Sequence, residues 1–233
     1  MKFIKLYESF EDVDIDSICK KYEIINYTIN SDGTVDVDGN VDLNRKSLIK
    51  LPLKFGKVSG DFDCSNNILN TLECSPQLVG GCYDCRYNQL TTLEGCPQSV
   101  GGNFDCYYNK LITLKGSPKS VGGDFDCQYN QLTTLEGCPQ LLGSDFTFYN
   151  NQLKDLYGFP EFYDGGVNYA NNPISEILSL FKTLHLGKVI DLLNEYGVIQ
   201  HNGKLVVLDR LEEVFYTLNM EIPEINLKNY EVY

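Results

Sequence analysis

The chain has 233 residues and carries 19 Lys plus Arg against 32 Asp plus Glu, a formal net charge of −13. That balance repels phosphate backbones, which argues against a nucleic-acid reader and favours a partner with a basic surface. Hydrophobic residues make up 42% of the chain; no apolar tract reaches the roughly 18 residues that would span a bilayer, so no membrane segment is expected.

Met1 to Phe10 lacks the continuous apolar stretch of a secretory signal. Nine cysteines without an export signal read as reduced thiols in a cytosol, and their odd number does not close a disulfide framework. Between Glu11 and Ile24, Ile15, Ile18, Cys19 and Tyr22 recur at helical spacing after an acidic first turn, which predicts a helix. Tyr27 to Val37 alternates around Ser31-Asp32-Gly33, the signature of a hairpin. Residues 1–39 therefore read as an N-terminal cap.

Residues 40–172 repeat with a period of 21. Cys64, Cys85, Cys106 and Cys127 keep that step, as do Asn67, Asn88, Asn109 and Asn130, and Leu72, Leu93, Leu114 and Leu135. Pro76, Pro97, Pro118, Pro139 and Pro160 follow. Such periodicity marks a solenoid, and its degenerate first and last copies are what end coils under caps look like. The unit predicts one short strand per coil, for example residues 103–107, with Phe104 and Cys106 inward and Asp105 and Tyr107 outward. Leu111 and Leu114 close the core, the Asn column satisfies backbone groups at the strand end, and Gly122-Gly123 turns a tight corner.

The stretch Phe104-x-Cys106-x-x-Asn109-x-Leu111 resembles the leucine-rich-repeat pattern L-x-L-x-x-N-x-L, with the preceding leucine displaced to Val79, Val100 and Val121 before a Gly-Gly pair. The resemblance covers more than half the chain, but 21 residues with Gly and Pro leave little room for a convex helix. It implies an α+β protein, a parallel β-solenoid of leucine-rich-repeat type between an N-terminal helix-and-hairpin cap and a helical C-terminal cap. Family members of this kind bind proteins. The unit is also similar to short repeats in proteins of large tailed bacteriophages, which implies a phage protein acting on a host factor in the bacterial cytoplasm. The leader Met1 to Phe10 loosely resembles phage N-terminal segments and supplies the alternative of a structural or virion-associated protein.

Residues 173–233 return to helical patterning: Ile174 to Thr183, Leu186 to Tyr196 and Leu205 to Leu218 predict three helices of a C-terminal cap, followed by a tail.

No catalytic constellation emerges, and the chain reads as a non-enzyme without cofactor or metal. The inward cysteines form a linear ladder where zinc needs four convergent thiolates, and they read as small buried hydrophobes. Asp36-x-Asp38-Gly39-Asn40-x-Asp42 is rich in oxygen ligands but lacks EF-hand spacing. The outward columns carry the functional reading. Asp42, Asp63, Asp84, Asp105 and Asp126 form an acidic stripe, beside the column Asn40, Asp61, Cys82, Asn103, Asp124 and Asp145. On its other side run Arg86, Tyr107 and Tyr149, then Tyr87, Tyr108 and Tyr129. Like charges stacked across strands cost stability. The stripe therefore reflects either duplication of one Asp or selection for a cationic ligand, and tyrosines beside acids suit Lys- and Arg-rich partners through hydrogen bonds and cation–π contacts.

Overall fold

The computed structural model describes residues 14–181, 186–200 and 203–233. The leader with its phage resemblance lies outside them, as do His185 and His201. The molecule is a parallel β-solenoid followed by a helical C-terminal region, an α+β architecture.

Each coil contributes two short strands where the repeat predicts one. The first sheet has eight strands: Tyr27–Ile29, Val35–Val37, Phe55–Val58, Leu78–Val79, Ser99–Val100, Ser120–Val121, Leu141–Leu142 and Phe162–Tyr163. The second has seven: Val41–Asp42, Phe62–Asp63, Tyr83–Asp84, Phe104–Asp105, Phe125–Asp126, Phe146–Thr147 and Val167–Asn168. The displaced leucine site explains the extra sheet. Val79, Val100, Val121 and Leu142 are the inward residues of their own strands, separated from the second sheet by the glycine pair, or by Gly143-Ser144 after Leu142.

Those glycines are needed for proximity. A Cβ at Gly101, Gly122 or Gly143 would sit 2.2 Å from the carbonyl oxygen of the glycine one coil earlier, so the coils stack with no space for a side chain there.

Pairing is in register at the repeat period, Phe104 opposite Tyr83 and Phe125. It stacks one inward aromatic on the next: Phe62, Tyr83, Phe104, Phe125 and Phe146 follow at centroid distances of 5.3–5.7 Å. Tyr83 is the one phenol in this buried row, and its hydroxyl is hydrogen-bonded to Ser75 Oγ at 2.8 Å. Cys64, Cys85, Cys106 and Cys127 are fully buried, and burial pushes the last three thiols well above their ordinary range.

The asparagine column is a hydrogen-bond ladder. Asn109 Oδ1 accepts from Leu90 N at 3.0 Å, and its Nδ2 donates to the carbonyls of Cys85 and Cys106. Asn67, Asn88, Asn130, Asn151 and Asn172 repeat the pattern between their own coils. One amide thus satisfies three backbone groups that the bend leaves unpaired.

At the N-terminal end, α1 (Ile15–Lys21) is capped by Asp14, whose Oδ1 accepts from Ser17 N. The hairpin forms as expected, but its second strand, Val35–Val37, already pairs in parallel with Phe55–Val58 and belongs to the first coil. The C-terminal region holds α2 (Ser175–Leu178) running into a 3-10 turn, α3 (Leu186–Glu195) and α4 (Leu208–Thr217). The last helix starts later than its apolar pattern suggests. Leu205–Val206 is instead a strand, flanked by Ile199–Gln200 and by the tail strand Glu231–Val232. Glu176 holds that tail, accepting from Lys228 N and Asn229 N at 2.9 and 3.0 Å. Among the described residues no helix is long and apolar enough to cross a membrane.

Candidate binding face on the second sheet

The acidic stripe has a local structural cause that neither duplication nor a cationic ligand supplies. Each aspartate closes its strand, and in all but Asp105 the Oδ1 accepts the backbone N–H two residues on: Asp42 from Asn44 at 3.0 Å, Asp63 from Ser65 at 2.9 Å, Asp84 from Arg86 at 3.0 Å and Asp126 from Gln128 at 3.1 Å. This is the Asx turn, which Asn168 also makes with Ala170 N at 3.4 Å. The signal was present in the sequence as Asp or Asn at a recurrent strand end.

Two coils engage the second carboxylate oxygen as well. Arg86 Nε lies 3.0 Å from Asp84 Oδ2, an ionic contact whose N–H is not aligned for a hydrogen bond. Gln128 Nε2 donates to Asp126 Oδ2 at 2.6 Å. Asp105 has no such amide or guanidinium in its own coil, because Tyr107 stands there, and the Tyr107 hydroxyl accepts from Arg86. The Arg86 guanidinium also lies 5.3 Å from the centroid of the Tyr107 ring, a cation–π contact made within the molecule.

The middle of the stripe is less acidic than its composition. The Asp84 side chain is only 15% exposed. Burial pushes its carboxyl up to about 7, outweighing the Arg86 N–H and guanidinium that favour the charged form. Asp105 is pushed up to about 6, first by burial and then by the Asp126 carboxylate, and Asp126 is raised for the same first reason.

Tyr87, Tyr108 and Tyr129 form a second stripe, 44%, 41% and 36% exposed. Their rings stack nearly parallel, at 4.7 Å and then 4.3 Å between centroids. Tyr107 and Tyr149 meet this column edge-on. Stacking covers both faces of Tyr108, which leaves its ring edge and hydroxyl to solvent, whereas Tyr87 and Tyr129 each stack on it through one face. All three tyrosines sit in the left-handed region, at φ of 53°, 52° and 49°. Asn66, Asn150 and Asn171 hold that conformation in neighbouring coils, at 55°, 53° and 55°.

The column beside the acids is architectural. Oδ1 of Asn40, Asp61, Asn103, Asp124 and Asp145 each accepts a backbone N–H from the next coil at 2.7–3.0 Å. Cys82 does the same with its sulfur, 3.3 Å from Asn103 N, which separates its role from that of buried Cys85. The oxygen-rich segment before the first coil is used similarly: Asp36 accepts from Lys57 N and Asp38 from Ser59 Oγ. Its carboxylates therefore serve separate axial bonds, and among the described residues no three His, Cys, Asp or Glu side chains come together to hold a metal ion. All nine cysteines are free thiols. No protein family, no curated protein and no solved structure matches the chain.

Proposed function

We propose that this protein is a non-enzymatic, protein-binding solenoid of leucine-rich-repeat type that docks a partner with a basic surface on its second-sheet face. The tyrosine column supplies the anchors, and the acids Asp42, Asp63, Asp84, Asp105 and Asp126 supply the field. The free thiols are consistent with action in a reducing cytoplasm. A phage protein acting on a host factor is the setting implied by the repeat's resemblance.

The observation that carries this reading is the backbone under the tyrosines. A left-handed conformation costs a residue with a bulky side chain on the order of 1 kcal/mol, whereas Asn tolerates it. Asn already occupies that site in the coils on either side. Ring stacking offsets part of the cost, but an uninterrupted Asn column would incur none. Three partly exposed tyrosines at a site that disfavours them are what a recognition surface requires, since Tyr offers large contact area with few rotamers to freeze.

The test replaces Tyr87, Tyr108 and Tyr129 together by Asn, the residue native to the column, so the fold is retained. Arg/Lys-rich synthetic peptides, with Gln-substituted peptides as controls, are titrated calorimetrically. Wild type is expected to bind the cationic peptides with salt-sensitive affinity, and the triple variant to bind at least ~10-fold more weakly, about 1.4 kcal/mol. Equal binding by the folded variant, or no preference for cationic peptides, would refute the docking face.

A further inference from the structure

Asp84, Asp105 and Asp126 lie opposite one another on adjacent parallel strands, so their carboxyl groups succeed each other at about the 4.8 Å strand spacing. All three are half-buried. The charged and titratable groups acting on the row are Asp63, Asp124, Arg86, Tyr107 and Tyr149. The thiols of Cys85, Cys106 and Cys127 lie on the core side, and burial keeps them neutral. Arg86 is thus the one cation among these groups, and it is already engaged by Asp84 and Tyr107. Three carboxylates in sequence cannot all ionise cheaply under those conditions, because each desolvated charge is opposed by its neighbour.

The Gln128 side chain lies against the end of the row and adds to its desolvation. Gln128 Oε1 is fully buried and has no hydrogen-bond partner, although the same amide donates to Asp126.

We propose that Asp84, Asp105 and Asp126 form a proton-binding row, holding at least one shared proton near neutral pH. Its gain or loss switches the centre of the face between a neutral, hydrogen-bonding strip and an anionic one. The consequence for partner choice rests on the docking reading above; the proton itself does not. Burial supports the row independently, since it raises all three carboxyls. A basic partner would then be held more tightly on the alkaline side, where the row carries its full charge.

Carboxyl-carbon NMR titration of the ¹³C-labelled protein without partner tests this. At least one of the three carboxyls should titrate between about pH 5.5 and 7.5, with the row showing coupled, biphasic curves. Asp105 is the member of the row whose carboxyl caps no backbone N–H, so Asp105→Asn removes its charge without breaking an Asx turn and should lower the Asp84 and Asp126 midpoints by about 0.5 unit or more. Titration of all three below about pH 5, or midpoints unmoved by Asp105→Asn, would overturn the proposal. A separate arm compares cationic-peptide affinity at about pH 5.5 and 8 for wild type and for the triple Asp→Asn variant. The switch predicts tighter binding at the higher pH in wild type alone. No peptide binding at either pH, together with a coupled titration, removes the docking reading and leaves the proton row standing.

Discussion

Asn109 shows how much of this fold hangs on single side chains. Its amide meets three backbone groups at a bend, and the side chain is largely buried. Asn109→Ala leaves the Leu90 N–H unsatisfied, while the Cys85 and Cys106 carbonyls keep the amides of Asn88 and Asn130, and should cost about 1–3 kcal/mol by the usual penalty for a buried orphan group. Urea unfolding measures the loss, and a change below about 0.5 kcal/mol would mean that the ladder is ornamental. Tyr108, one residue before it, is the opposite case: its backbone conformation favours Asn, so its replacement should spare stability and act on binding. Adjacent residues of one bend are thus separable, one architectural and one exposed for recognition. The repeat displayed both columns in sequence. It did not display the left-handed backbone under the tyrosines, because that conformation follows from how the bend enters the next coil.

The coil is the unit at which the glycine pair acts. Gly122 faces the carbonyl oxygen of Gly101, itself stacked on Gly80, so the corner of the solenoid is a column of backbone in direct contact. Gly122→Ala would place a Cβ 2.2 Å from that oxygen. The neighbour is main chain and cannot rotate away, so the stack must open, at an expected cost of about 2–4 kcal/mol and a lower Tm in calorimetry. At Gly123 a Cβ would instead strike the Asn103 side-chain oxygen, which is held by Asp124 N, with backbone next at 3.0 Å. Sequence reading identified this position as a corner and assigned the glycines to backbone flexibility. It missed the first sheet because a two-residue strand carries too little alternation to be recognised. Only pairing with identical segments 21 residues away turns Ser99–Val100 into a strand.

Over the whole molecule, the half-buried carboxyls set the pH profile of stability. Asp84 and Asp105 ionise at about 7 and about 6 in the folded protein, but at about 4 once unfolded. The native state therefore binds more protons between about pH 4 and 7, and stability falls as pH rises through that window. Tm should be higher at about pH 5 than at pH 8, and Asp105→Asn should remove part of the difference by raising the value at pH 8. Asp14 and Asp32, whose carboxyls are lowered by their own hydrogen bonds, act in the opposite sense, and only below the ordinary carboxylate range. A calorimetric profile that is flat from pH 5 to 8 would show the row fully ionised in the fold.

The 21-residue period by itself determined that the chain is a solenoid, which residues point inward, and that acids and tyrosines share a face. These follow from composition repeated at a fixed step, because stacking copies of a half-buried unit has one economical solution. Tertiary structure decided what the face can do. Desolvation and repulsion depend on how one coil lays its carboxyl against the next, as for Asp84, Asp105 and Asp126 on paired strands. Ring-face access depends on whether the next tyrosine stacks, as Tyr87 and Tyr129 do on Tyr108. Both are relations between coils, and no single repeat contains them.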